Sequence, residues 1–304
     1  MKCLIVGYGS IGKKHSHVLH DLQCDVDLVT SQMTNDFSCY SSIQQAFENN
    51  SYDYVVIANE TYLHFSALTT LIKLRFQGIV LVEKPLFSTK EILPENKFKK
   101  LLVAYNLRFS QLLTTAKKFL QGEELISFSA NVGQYLPTWR KNTDYRASYS
   151  AKHAQGGGVL NDLSHELDYS LWFCGKSLAV TAIGGHYSNL EIDSDDIYSV
   201  LMQCESCPIV NIQINYLDRS TRRDILIHTK NHSIYIDLIN GVLNIDGKEE
   251  NRYPDDIKNT YKLQHQSALT GDYQFFCSYE EGINVVNLIE KITEANHMKT
   301  WVKL

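Results

Sequence analysis

The sequence predicts an α/β chain: a doubly wound parallel sheet, then an α+β domain built on an open, mostly antiparallel sheet. Three observations predict it. Short apolar runs rich in β-branched residues recur through the first 104 positions, stretches with helical spacing separate them, and after about residue 120 the runs alternate apolar with polar residues. The early runs are Cys3-Leu4-Ile5-Val6, 26–29, Tyr54-Val55-Val56-Ile57, Ile79-Val80-Leu81-Val82 and Leu101-Leu102-Val103-Ala104. Unbroken hydrophobicity fits strands covered on both faces, as in parallel sheets. Ile11, His15, Val18 and Leu22 make one helical stripe between the first two runs, and Phe65, Leu68 and Ile72 make another after the third. Right-handed crossovers stack such βαβ units into one sheet. Segment 87–100, with Pro94 and four lysines, makes a short helix at best or a loop.

The later runs are 128–132, 197–202, 209–216, 224–228 and 233–238, with Asn240-Gly241 and Asp246-Gly247 as tight turns. Ser278-Tyr279-Glu280-Glu281 reads as a capping box before a helix that buries Val285, Leu288, Ile289 and Ile292. The expected division is 1–120 for the first domain and 121–304 for the second, the latter for substrate binding and oligomerisation.

Composition narrows the function classes. Of 304 residues, 44% are hydrophobic and 21% charged, a globular mix that argues against disorder. The net charge of -5, from 34 acidic and 29 basic residues, repels phosphate backbones, so nucleic acid is not an expected partner. No apolar run nears the roughly 20 residues of a membrane helix, and the first apolar stretch stops at Gly7. No membrane partner is expected. Seven scattered cysteines read as reduced thiols, which places the protein in the cytoplasm.

Gly7-Tyr8-Gly9-Ser10-Ile11-Gly12 stands between the first strand and the first helix. Its glycines permit a tight turn, backbone approach to a pyrophosphate, and close packing of helix on strand. The N–H groups of Ser10 and Ile11 then face the phosphates from the helix N-terminus. This is the signature of a Rossmann domain. The second strand ends at Thr30-Ser31-Gln32 with no carboxylate for the ribose, and no arginine stands ready for a 2′-phosphate. NAD and NADP therefore both remain candidates, with Thr30 and Ser31 beside the ribose.

Glu83-Lys84-Pro85 follows the fourth strand run, at the sheet edge where ligands of such folds gather. In Gly156-Gly157-Gly158-Val159-Leu160-Asn161-Asp162-Leu163-Ser164-His165, three-residue spacing on a helix lets Asp162 accept from the His165 ring. A carboxylate partner raises imidazole basicity, which suits a general base; a satisfied core histidine or a metal ligand are the other readings. No supporting ligand pair lies nearby, so no metal is expected.

These motifs, in this order, resemble the Gfo/Idh/MocA oxidoreductase family over nearly the whole chain. Segment Val56-Ile57-Ala58-Asn59-Glu60-Thr61-Tyr62-Leu63-His64 resembles the family stretch along the cofactor, which implies cofactor contacts for Asn59, Thr61, His64, Glu83 and Lys84. Tyr105-Asn106-Leu107-Arg108-Phe109 resembles the start of the second domain. The resemblance implies hydride transfer with NAD or NADP on sugars or polyols, in a homodimer or homotetramer. By position, it makes Lys84 the group at the reacting oxygen, His165 the proton carrier and Asp162 its orienter. It also implies a cis bond at Lys84-Pro85. Many members space the last two by four residues instead of three.

Segment 134–153 is rich in aromatic residues and arginine. Tyr135, Trp139, Arg140 and Arg146, with Asn106, are the expected substrate contacts, since aromatics stack on sugar faces and arginine grips carboxylate or phosphate. A packing or subunit-contact loop is the competing reading. Cys204-Glu205-Ser206-Cys207 reads as a hairpin turn with free thiols. Overall, the sequence points to an NAD(P)-dependent dehydrogenase of a sugar, a nucleotide sugar or an acidic sugar. The alternatives are a dinucleotide-binding module without turnover and a lyase or hydrolase that recycles bound NAD.

Overall fold

The computed structural model describes residues 1–304 except Met33, Lys141, Asn142 and Asp255. The chain begins β1 (Lys2–Val6), α1 (Ser10–Asp21), β2 (Asp25–Val29), β3 (Ser38–Tyr40), α2 (Ile43–Asn49), β4 (Tyr54–Ile57), α3 (His64–Lys73), β5 (Ile79–Val82) and β6 (Lys100–Val103). There follow α4 (Gln111–Phe119), β7 (Leu125–Gly133), α5 (Leu136–Trp139), α6 (Val159–Asp162), α7 (His165–Cys174) and β8 (Ser177–Gly185). Next come β9 (Ile197–Cys204), β10 (Cys207–Asn215), β11 (Arg222–Thr229), β12 (Ser233–Asp237), β13 (Val242–Ile245) and β14 (Lys248–Arg252). Last are α8 (Asp256–Thr270), β15 (Cys277–Ser278), α9 (Tyr279–Met298) and β16 (Val302–Lys303).

Chain contacts divide these elements into two units, Met1–Phe109 with Asn259–Ile283, and Ser110–Lys258 with Asn284–Leu304. The sequence suggests one crossing near residue 120, and the structure differs in two ways. Helix α4 joins the second unit, because Ser110 caps it and Asp256 accepts from Gln111 N at 2.8 Å. Residues 259–283 return to the first unit, where β15 pairs with β6 and Ala268 and Phe276 enter the core.

In the first unit the sheet runs β15-β6-β5-β4-β1-β2-β3, parallel except for β15. Without β15 this is the doubly wound order, whose carboxyl edge holds ligands where the strand order reverses, between β1 and β4. The expected strands appear in place. Two short elements, β3 and α2, gave too little apolar signal to be read in advance. Residues 83–98 form no helix. The buried face of α1 is Gly12, His15, Ser16 and Leu19, whereas Ile11 is exposed. The stripe read from Ile11, Val18 and Leu22 is thus turned by one residue. The reason is steric: a Cβ on Gly12 would lie 2.1 Å from the carbonyl oxygen of Gly7, so the helix lays its smallest residue against the sheet. On α3 the buried face is His64, Ala67, Leu68 and Leu71, flanked by half-buried Phe65 and Ile72.

The second sheet runs β14-β13-β12-β11-β7-β10-β9-β8-β16. It is mostly antiparallel, with β7 and β10 parallel. Phe128, Ala130, Val210, Ile212, Ile225 and Ile227 are buried on one face, which α7 covers over β7 and β10. Burying each large aliphatic side chain contributes about 1.5–3 kcal/mol. The other face carries exposed Ile126, Leu201, Ile209 and Leu226 among polar residues. Gly241, and Asp246 with Gly247, take positive φ at the two hairpin turns, as their sequence signals require. The capping box is also present: Ser278 N donates to Glu281 Oε2 at 2.8 Å, and Glu281 N donates to Ser278 Oγ at 3.2 Å.

Gly12→Ala should lower the urea midpoint by the equivalent of about 1–3 kcal/mol, the usual size of an overpacking clash. Equilibrium unfolding followed by circular dichroism checks this.

Candidate functional site

In the first unit the glycine loop is built by close approach. Gly7 has φ +100°, and a Cβ there would fall 2.6 Å from the backbone nitrogen of Asn59. Around Gly9, by contrast, nothing lies within 4 Å of a Cβ position. Two glycines are thus required by their neighbours, and the middle one faces open space. Gly9 caps α1 without a side-chain bond, so the N–H groups of exposed Ser10 and Ile11 open the helix. Asn59 follows β4, and its buried Oδ1 has no hydrogen-bond partner among the described residues. Thr61 is half-buried in the one-turn helix that leads into α3. Thr30 and Ser31 follow β2; Thr30 Oγ1 accepts from Gln32 N at 3.0 Å, an arrangement that leaves the hydroxyl proton to donate elsewhere.

Beyond β5, Glu83 is buried and Lys84 half-buried, and the Lys84-Pro85 bond is cis. His64, which the family resemblance sets along the cofactor, also has a structural place. It is fully buried, with Nδ1 at 3.1 Å from the carbonyl oxygen of Leu86 and Nε2 at 3.2 Å from that of Asn59. It joins the loop after β4 to the loop after β5. Burial lowers its pKa, so the ring is neutral and donates from one nitrogen at a time. Open space at a helix start, an unsatisfied amide oxygen and the Thr30 hydroxyl proton at the carboxyl edge fit a dinucleotide. Gly7, Gly9, Gly12, Ser10 and Ile11 would hold its pyrophosphate, Thr30 and Ser31 its ribose, and Asn59 with Thr61 the stretch towards Lys84.

In the second unit the glycine run is equally constrained. A Cβ on Gly157 would lie 2.2 Å from the carbonyl oxygen of Tyr149, and one on Gly158 2.5 Å from Asp195 Oδ1. The run leads into α6, which ends at Asp162; Leu163 and Ser164 form a turn, and His165 begins α7. Asp162 and His165 therefore do not share one continuous helix face. Asp162 is buried, and Tyr216 donates its hydroxyl proton to Asp162 Oδ2 at 2.6 Å. Burial and the Asp162 charge together push the Tyr216 phenol well up, so that proton stays in place. The next residue after His165, Glu166, is wholly buried and paired with Arg223 Nε at 2.9 Å, which ties the start of α7 to β11.

The aromatic segment divides. Trp139 packs on Tyr216 with ring centroids 5.7 Å apart, Arg140 stands 5.0 Å over the Tyr149 ring, and Arg219 stands 3.7 Å over Tyr135. Through Tyr216 this cluster adjoins Asp162. Arg146 differs: it pairs with Asp144 at 2.9 Å and with Glu191 at 3.3 Å, so two carboxylates already occupy its guanidinium. Asn106 differs as well, because it is buried and donates to Thr260 Oγ1 at 2.5 Å within the first unit. Both side chains serve as structural anchors. Tyr216, Arg219 and Asp195 escaped the sequence reading, since each meets its partner across 35 or more residues. All seven cysteines are free, with Cys204 and Cys207 flanking the β9–β10 turn. Among the described residues no group of three or more His, Cys, Asp or Glu side chains is arranged to hold a metal ion, and no helix is long and apolar enough to cross a membrane.

Burial lowers the pKa of His64, and that of His265 still further. Unfolding releases both rings to ordinary values near 6.5, so the unfolded chain binds more protons below that pH. Stability should be flat above about pH 7 and fall below about pH 6.5, by about 1.4 kcal/mol per pH unit for each ring that stays neutral. Urea midpoints measured from pH 5 to 8, with His64→Gln giving the shallower slope, check this.

Comparison with known proteins agrees with this geometry. A family model described as the oxidoreductase family with an NAD-binding Rossmann fold matches residues 1–97, and the model of the GFO/IDH/MocA C-terminal domain matches residues 121–235. No curated protein sequence matches the chain. Among solved structures, levoglucosan dehydrogenase in complex with NADH and levoglucosan superposes with a TM-score of 0.84 at 16% identity, over 100% of this chain and 99% of that one. A myo-inositol dehydrogenase from Corynebacterium glutamicum gives 0.79 at 18%, covering 100% and 98%. The WlbA dehydrogenase from Bordetella pertussis, in complex with NADH and UDP-GlcNAcA, gives 0.78 at 19%, again covering 100% and 98%. At such identities the likeness is one of fold. The family models, the doubly wound NAD-binding sheet and the ordered glycine, Glu-Lys-Pro and Asp-His motifs lead to one conclusion: the chain belongs to the Gfo/Idh/MocA oxidoreductase family.

Proposed function

We propose that this protein is an NAD(P)-dependent dehydrogenase or reductase of a carbohydrate, with a nucleotide sugar or acidic sugar as the favoured substrate class. The observation that carries the cofactor part is the open space at Gly9 between two glycines that tolerate no side chain. When bound, the nicotinamide ring supplies the site that takes up or gives the hydride. The chain's own residues do the rest. His165, half-buried at the start of α7, takes the proton of the reacting hydroxyl, and Lys84, half-buried after β5, stabilises the alkoxide that forms. Asp162 orients the polar wall on which the sugar rests, through Tyr216. Trp139 and Tyr135 offer ring faces, and Arg140 and Arg219 offer positive charge, which favours a substrate both ring-shaped and acidic. Structural neighbours crystallised with sugars or with UDP-GlcNAcA support the same class.

We further propose a homodimer or homotetramer through the outer face of the nine-stranded sheet, where Leu201 and Ile209 stand 40% and 51% exposed.

Two measurements test these proposals. With NADH or NADPH and a panel of keto sugars and nucleotide sugars, His165→Ala should reduce kcat by about 10²–10⁴-fold; an unchanged kcat removes the histidine from the reaction. Leu201→Lys combined with Ile209→Lys should halve the mass found by sedimentation equilibrium, and an unchanged mass rules out this face.

A further inference from the structure

Inside the first unit lies a row of four buried polar side chains from three elements and one loop. Tyr54 on β4 has its hydroxyl 3.1 Å from His265 Nδ1 on α8. His265 Nε2 is 2.7 Å from His15 Nδ1 on α1, and His15 Nε2 is 2.8 Å from Glu83 Oε1 after β5. Glu83 uses its second oxygen to accept from the backbone N–H of Lys84 at 3.0 Å. Tyr54, His265 and His15 are wholly buried and Glu83 is 7% exposed.

The chemistry of these groups sets the direction of every bond. A carboxylate can only accept, so His15 Nε2 must be a donor. With that ring neutral, His15 Nδ1 is an acceptor, and His265 Nε2 must donate to it. His265 Nδ1 then accepts, and the Tyr54 hydroxyl donates. One arrangement satisfies all three contacts, with both histidines as the Nε2–H tautomer. The surroundings favour it. Burial, then the neighbouring His15, pull the pKa of His265 well down, and burial with the thiols of Cys3 and Cys24 and the Tyr273 phenol pushes that of Tyr54 well up. Lys14 also faces Glu83, and its Nζ lies 4.0 Å from the centroid of Tyr261, whose ring packs edge-on to His15. A second proton on His15 would reverse its bond to His265 and the next one, leaving the Tyr54 proton without an acceptor in the row.

We propose that Tyr54, His265 and His15 form a one-way hydrogen-bond relay that fixes the Glu83 carboxylate and, through it, the backbone that carries Lys84. The three are positioning residues for the nicotinamide end of the site. That role rests on the function proposed above; the relay itself does not. The relay spans 250 positions between His15 and His265, and it assigns a task to polar groups that packing alone would replace with apolar ones.

Protein labelled with ¹⁵N-histidine, with His15 and His265 assigned by substitution, gives the ring tautomers directly from long-range ¹H–¹⁵N correlation spectra at pH 7. Both rings should carry their single proton on Nε2. A proton on Nδ1 of either ring overturns the relay. Tyr54→Phe removes only the hydroxyl, so it should shift His265 towards mixed tautomers and weaken NADH binding about 3- to 10-fold, the scale of one hydrogen bond. His265→Gln keeps a donor for His15 Nδ1 and should bind NADH within about 2-fold of the parent, whereas His265→Leu should not. A residue that only fills space would change the melting temperature in these variants and leave the NADH titration and the His15 tautomer untouched, which would overturn the positioning role. If the parent protein shows the tautomers yet binds no NADH, the positioning role and the proposed function both fall while the relay stands.

Discussion

Three backbone segments meet at the start of α1 with no room for a side chain between them. Gly7 lies against Asn59, and Gly12 lies against Gly7. This contact fixes the carboxyl edge of β1 beside that of β4, turns the small face of α1 onto the sheet, and leaves Gly9 as the exposed lip of the turn. The rotated helix face follows from it, and so does the inward aim of His15, three residues beyond Gly12 on the same face. A bulky residue at either flanking glycine would push α1 away and carry His15 out of reach of Glu83. The proposed cofactor cradle and the proposed relay thus depend on one steric fact.

Each unit buries a charged side chain that meets an opposite charge. Arg108 is buried and pairs with Glu281 at 2.8 Å, and Glu166 pairs with Arg223. The buried Glu166–Arg223 pair gains little net stability, because desolvation offsets most of the attraction, yet removing one partner costs about 3–5 kcal/mol. The value of both pairs lies in register. Glu281 both receives Arg108 and closes the capping box of α9, so one carboxylate sets a helix start and a buried cation together. Glu166 does the corresponding work beside His165. The proton transfer proposed for His165 needs a fixed backbone, and the neighbouring residue supplies the anchor.

Much of this was legible in the sequence because it is local. Five parallel strands read directly from unbroken apolar runs, and the glycine motif, both hairpin turns and the capping box each follow from a few adjacent residues. What escaped was non-local or steric. Periodicity alone puts Ile11 on the inner face of α1, since the count cannot see that Gly12 must touch Gly7. Three-residue spacing puts Asp162 and His165 on one helix face only if the helix is continuous, and here Leu163-Ser164 interrupt it. The Tyr216 hydroxyl that donates to Asp162 is 54 positions away. Arg146 also pairs with Glu191, which lies 45 positions downstream. The return of residues 259–283 to the first unit has no compositional mark either, since β15 is a two-residue strand.

The central claim is that a pyrophosphate occupies the open space at Gly9. Isothermal titration of NADH into the parent protein and into Gly9→Val, with urea midpoints recorded for both, tests it most directly. A Cβ there has no protein atom within 4 Å, and a Val side chain would stand in the path of an approaching phosphate. The account predicts saturable binding by the parent, none by the variant, and midpoints separated by no more than about 1 kcal/mol, the scale of a helix-cap change. Equal binding by the two proteins would contradict it.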